Sequence, residues 1–187
     1  QFFTFNFRFI KKIMEHNSYL IKAMDAYPYD LEETVEALGY ALSYEPNNGT
    51  ALCLMGRVYL EVYQDYDAAI SYFEKALEDN VNMHTIYGYY SSALICAEDL
   101  TKAETFLDFA LTVKGSDKGL LFSRKASIHE ARQDFKKARK CIKQAKLETY
   151  NDGFMNCLED LEERIKKKES LVKDKVKKDK KKAKGRK

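Results

Sequence analysis

Helix breakers are scarce in this chain, which has only two prolines and eight glycines in 187 residues. Proline removes a backbone donor and fixes φ, so a supply this thin leaves room for uninterrupted helices and favours an all-α fold. Close cysteine pairs are absent as well. Cys53, Cys96, Cys141 and Cys157 fall 43, 45 and 16 residues apart, whereas zinc sites and disulfide frameworks need tighter patterns. Buried thiols on helix faces in a reducing cytoplasm are the expectation. No apolar run approaches the roughly 18 residues of a spanning helix, so no membrane span is expected. The sequence holds no HExxH, no glycine-rich phosphate loop, no GxSxG and no cysteine with an evident histidine partner, and His16, His84 and His129 lie far apart. Neither an enzyme nor a metal nor a cofactor is expected. Carboxylates on helix faces, Glu74 and Glu78 among them, are read as solvated or paired with lysines four residues away.

What the sequence does have is a period. Ala69 and Ala76 stand seven residues apart, two helical turns on one face. The same pairing recurs as Thr34 with Ala41, Ala103 with Ala110, and Ala138 with Ala145. Asp30, Asp65, Asp99 and Asp134, each placed to open a helix, keep step at intervals of 35, 34 and 35. A period near 34 with small residues in register is the signature of a helical solenoid, where stacked neighbours supply the core that one repeat cannot build alone. Small residues at Gly56, Ala69 and Ala76 would let helix axes approach closely, with Tyr59, Tyr66 and Phe73 filling the space between layers.

On these residues the chain resembles the tetratricopeptide repeat family, with four repeats over about 15–48, 49–83, 84–118 and 119–152. In the second repeat the match is carried by Leu52, Met55, Gly56 and Tyr59, then Tyr66, Ala69, Phe73 and Ala76; in the third by Tyr87, Tyr90, Ser91 and Leu94, then Leu100, Ala103, Leu107 and Ala110. Phe122, Lys125, Ala126 and His129, followed by Phe135, Ala138, Ile142 and Ala145, carry it in the fourth. The first repeat departs from the pattern, because Lys22 stands where the small residue belongs. Its first helix, Glu15 to Tyr27, is expected to end at Pro28 and to serve as an N-terminal cap. Asp30 with Glu33 reads as an acidic capping box for the second helix of that repeat.

The resemblance implies a right-handed α–α superhelix and a concave face, lined by the first helix of each repeat, that binds an extended peptide or a partner helix. Carried over by position, that face comprises Tyr19 and Ala23; Cys53, Leu54 and Arg57; Gly88, Tyr89 and Ser92; and Ser123, Arg124 and Ser127. Rings and arginines in this mixture suit a peptide with apolar anchors and a carboxylate. Family members that hold chaperone C-terminal carboxylates use a clamp of lysines, asparagines and an arginine. Only Arg124 matches it, with Cys53, Leu54, Arg57, Thr85 and Ser127 at other key positions, so a chaperone-tail adaptor is not expected.

The two ends differ from the repeats. Residues 1–13, QFFTFNFRFIKKI, suit a strand or a helix equally and do not read as a signal peptide. Met14 is one candidate natural start; a sticky element docking on the first repeat is the alternative. From Phe154 a stripe of Phe154, Leu158, Leu161, Ile165 and Val172 predicts a capping helix over 153–172. Residues 173–187 then carry ten basic and two acidic side chains, a net of +8, which leaves −5 for the rest of the chain. This basic tail, with Lys177, Lys178, Lys180, Lys181 and Lys182 at its centre, has no aromatic residue on which a base could stack. Nucleic acid is expected only through the tail and without sequence preference. The reading is a non-catalytic cytoplasmic scaffold for a protein or peptide partner, of unknown oligomeric state, with a basic-arm protein contacting RNA, DNA or the ribosome, or a regulatory subunit of an enzyme complex, as alternatives.

Overall fold

A computed structural model of the chain describes residues 18–184; the side chains of Asp79 and of 176–184 lie outside it, as does the whole of the phenylalanine-rich segment 1–13 together with Met14. Every regular element among the described residues is helical, and no helix there is long and apolar enough to cross a membrane. The chain divides into two compact units, Gln1–Ala97 and Glu98–Lys187.

In the first unit α1 (18–26) leads into α2 (Leu31–Tyr44), α3 (Gly49–Val58), α4 (Tyr66–Asp79) and α5 (His84–Cys96). An oxygen-bearing side chain caps most of these starts: Asp30 accepts from Glu33 N at 2.9 Å, Asn48 from Ala51 N at 2.9 Å and Asp65 from Ala68 N at 3.0 Å. Each such cap satisfies one of the orphan donors of the first turn and contributes about 1 kcal/mol. The capping box expected at Asp30 is only half present. Glu33 does not reach back, because the Asp30 N–H donates to the Ala26 carbonyl and the Glu33 carboxylate pairs with Lys22 at 3.0 Å.

That ion pair also corrects the register of α1. The position facing its neighbours is Ala23, fully buried among Ala37, Leu38, Ala41, Leu54 and Met55, while Lys22 lies one residue round the helix on the exposed side. α1 is a packed helix, and the departure read at Lys22 is a slip of one residue.

Between its small residue and the next capping aspartate, the stretch from α3 to α4 contains a residue more than the two later ones. Gly56 stands nine residues before its capping aspartate, Ser91 and Ala126 eight before theirs. The surplus is taken up where α3 runs into a π-helical segment, Tyr59–Tyr63, which ends on Gln64 at φ +54° with its N–H on the Tyr59 carbonyl. A π-turn absorbs one extra residue within the helix. The register of α4 is thereby kept: Asp65 still caps it and Phe73 still reaches Gly56.

The second unit holds α6 (Leu100–Thr112), α7 (Lys118–Ala131), α8 (Phe135–Leu147) and α9 (Asp152–Lys184). Asp99, Asp117 and Asp134 cap the first three. Glu98 and Gln133, just before two of these caps, adopt φ of +62° and +59°; at Gln133 this left-handed conformation closes the short turn between α7 and α8. Ala126, Phe135, Ala138, Ile142 and Ile165 form the core, joined by Leu161 and Val172 of α9. Polar pairs flank this apolar contact. The Glu130 carboxylate, only 5% exposed, takes Arg164 at 2.7 Å and Lys168 at 2.8 Å; Lys146 meets Glu162 at 2.9 Å, and Arg139 meets Glu169. α9 does not stop at residue 172, where the capping helix was expected to give way to a tail, but continues as one helix to Lys184.

Candidate functional site

The first unit contains a cavity of about 610 Å³ whose walls come from α1, α3 and α5. Met24, Tyr27 and Pro28 form one side, Thr50, Cys53, Leu54, Arg57 and Glu61 the floor, and Met83, Thr85 and Tyr89 the other side. These residues arrive together because α3 is held between its neighbours through buried small residues, Ala51 on one side and Gly56 on the other.

Arg57 is the centre of the polar part. Its guanidinium carbon lies 4.7 Å from the centroid of the Tyr27 ring and 4.6 Å from that of Tyr89, so the cation is held between two aromatic faces. Nη2 sits 3.6 Å from Glu61 Oε2, one helical turn on, and the Tyr27 hydroxyl donates to the same carboxylate oxygen. Nε is buried and donates no hydrogen bond among the described residues. Burial works against the charge on Arg57, but Tyr89, Glu61 and Tyr27 outweigh it and hold the guanidinium pKa above its ordinary value. Burial, reinforced by the hydrogen bond to Glu61, pushes the Tyr27 hydroxyl up to about 12. Cys53 is pushed up to about 11, chiefly by burial, so its thiol stays protonated near neutral pH and offers no thiolate nucleophile.

Of the residues expected on the binding face, Leu54, Arg57 and Tyr89 therefore meet in one cavity, with Cys53 and Thr85 beside them. Tyr19 goes elsewhere, stacking on Tyr40 at 5.1 Å and on Tyr44 at 6.1 Å over the α1–α2 contact. Ala23 is core. Ser92 gives its hydroxyl to the Gly88 carbonyl at 2.8 Å, and Ser127 gives its own to Ser123 at 3.3 Å, satisfying donors within their own helices rather than presenting them. Arg124 and Ser127 both belong to α7, in the second unit. Lys177, Lys178, Lys180, Lys181 and Lys182 fall within the last turns of α9, with side chains outside the described set.

Sequence reasoning missed Tyr27, Glu61, Met24 and Met83. Glu61 was accessible as the fourth residue after Arg57, a spacing that places acid and base side by side. The two methionines sit at a helix end and in a turn, where periodicity carries no signal. Among the described residues no group of three His, Cys, Asp or Glu side chains could hold a metal ion. No protein-family model matches the chain, and no curated protein matches its sequence.

Proposed function

We propose that this chain is a tetratricopeptide-like scaffold, a right-handed α–α superhelix of about four helix pairs closed by α9, acting without catalysis in the cytoplasm by holding a peptide or helix of another protein. The observation that carries this reading is the Arg57 cavity, built by α1, α3 and α5, which on this reading are the first helices of three successive pairs, as a binding groove of that kind requires. Its apolar walls of Met24, Pro28, Leu54 and Met83 suit a large aliphatic or aromatic anchor, and methionines adapt to varied shapes. The guanidinium, already oriented by two rings, has donors left for a carbonyl or carboxylate beside that anchor.

Selection of a displayed random-peptide library on the full chain tests the proposal. Peptides sharing an apolar anchor next to an acidic residue or a free C-terminus are expected, with binding reduced at least tenfold by Tyr89→Ala combined with Arg57→Gln at unchanged helicity. Enriched peptides that bind the double variant as tightly as the parent would remove the cavity from the argument. No enrichment at all would count against a peptide-binding role.

A further inference from the structure

The chain's net charge of +3 hides a separation. The first unit has 6 basic and 13 acidic residues, net −7; the second has 26 basic and 16 acidic, net +10. Charge asymmetry of this size between halves points to an anionic partner for the basic half. Part of the excess lies on the body of the second unit. α8 carries six basic residues and no acidic one. Two of them turn toward α9, Arg139 onto Glu169 and Lys146 onto Glu162. Lys136, Lys140 and Lys143, at i, i+4 and i+7, form an exposed row, and none is ion-paired among the described residues.

The pairs of Lys146 with Glu162 and Arg139 with Glu169 show that α8 and α9 run antiparallel. α9 therefore passes the Lys136 end of the row at about the point where its own sequence turns basic. Residues 173–184 continue that helix with eight lysines against two aspartates. The row and the arm share one end of the α8–α9 pair.

We propose that this basic surface, the α8 lysine row together with the lysine-rich end of α9, binds the sugar–phosphate backbone of duplex nucleic acid without reading sequence. The residues that accompany the charge select the partner. No aromatic residue lies among these lysines, so the stacking platforms that single strands use are missing. Val176 and Ala183 are the arm's only apolar residues from 173 on, too few for the continuous apolar stripe with which an interfacial helix enters a bilayer. What the surface offers is cations at helical intervals, which neutralise phosphates and release counterions. This inference is independent of the peptide-binding reading, which concerns the other unit.

The test is fluorescence anisotropy of the full chain with a labelled duplex at 50 and 200 mM salt, beside two full-length variants. One carries Lys136→Gln, Lys140→Gln and Lys143→Gln; the other carries Gln at Lys177, Lys178, Lys180, Lys181 and Lys182. Circular dichroism and melting curves of both should match the parent, since the row residues are exposed. At about 0.9 per phosphate contact, loss of three contacts should make the log–log salt slope shallower by about 2.7, and the arm variant should lower it further. Affinity at 50 mM salt should fall at least tenfold in each. A row variant with the parent's affinity and slope would overturn the proposal. So would absence of duplex binding at 50 mM salt, tighter binding to phosphatidylserine vesicles than to the duplex, or a salt-sensitive dimer on sedimentation without duplex binding, which would assign the charge separation to contact between copies.

Discussion

A β-carbon on Gly56 would lie 2.7 Å from Cε1 and 2.9 Å from Cδ1 of the Phe73 ring, so the fully buried phenylalanine of α4 occupies the space that any other residue on α3 would need. Gly56→Ala should therefore destabilise the fold by about 1–3 kcal/mol through overpacking, even though alanine is the better helix former. Gly39 supplies the control. A β-carbon there meets nothing within 4 Å, and Gly39→Ala should stabilise by about 0.5–1 kcal/mol. Urea midpoints of the two variants should move in opposite directions.

Gln133 holds φ at +59° in the turn between α7 and α8. Glycine carries no side-chain penalty there, and Gln133→Gly should raise stability by about 0.5–1 kcal/mol, seen as a later thermal midpoint. A lower midpoint would mean that the glutamine side chain makes a contact outweighing its backbone strain.

Much of the first unit and the turns was legible in the sequence because the determinants are local. An aspartate ahead of a helical run caps it, and small residues seven apart mark a buried face; Asp30, Asp65, Asp99 and Asp134 are caps, and Ala69, Ala76, Ala103, Ala110, Ala138 and Ala145 are buried. The π-segment was not legible, since it is a choice of hydrogen-bond partner rather than of residue. Nor was the slip from Lys22 to Ala23, because both positions suit a helix and only the neighbours decide which faces in. At the candidate site, Leu54, Arg57 and Tyr89 were found by position in the repeat, whereas Tyr27 and Glu61 join them only through the chain's return to the same place. Treating everything before residue 173 as one mildly acidic body concealed the basic face of α8, because a sum over residues discards location.

The contacts of α9 should weaken in acid. Glu162 is held well below the ordinary carboxyl value of 4.5, at about 2, by hydrogen bonds from Lys166 and Lys146. For Glu130 burial opposes ionisation, but Arg164 and Lys168 prevail and lower its pKa too. Folded-state values below unfolded ones mean that the unfolded chain takes up more protons as pH falls. The contribution is complete above about pH 5 and is lost progressively from about 4.5 toward about 2. Unfolding free energy against pH should slope upward across that window, and Glu162→Gln should flatten it. An unchanged slope would show that the titrating groups lie elsewhere.

Thiol labelling offers a simple check on the burial pattern. Contrary to the expectation that the thiols are buried, Cys96 and Cys157 are exposed and should react with a chromogenic disulfide within minutes, Cys141 more slowly. Cys53, buried in the cavity wall with its pKa near 11, should react only on unfolding. A ligand filling the cavity should slow it further.

The Glu130 carboxylate has a consequence for how the molecule is made. It leaves the site of synthesis 34 residues ahead of Arg164, the side chain that grips both its oxygens. Until α9 emerges, a carboxylate destined for burial has only water to satisfy it, so the edge of α7 that α9 covers must stay wet. The final helix brings the counterions as well as the apolar cover. Closure of the second unit thus waits on α9, and a ribosome stalled before residue 164 would carry α7 and α8 without the cations that Glu130 needs.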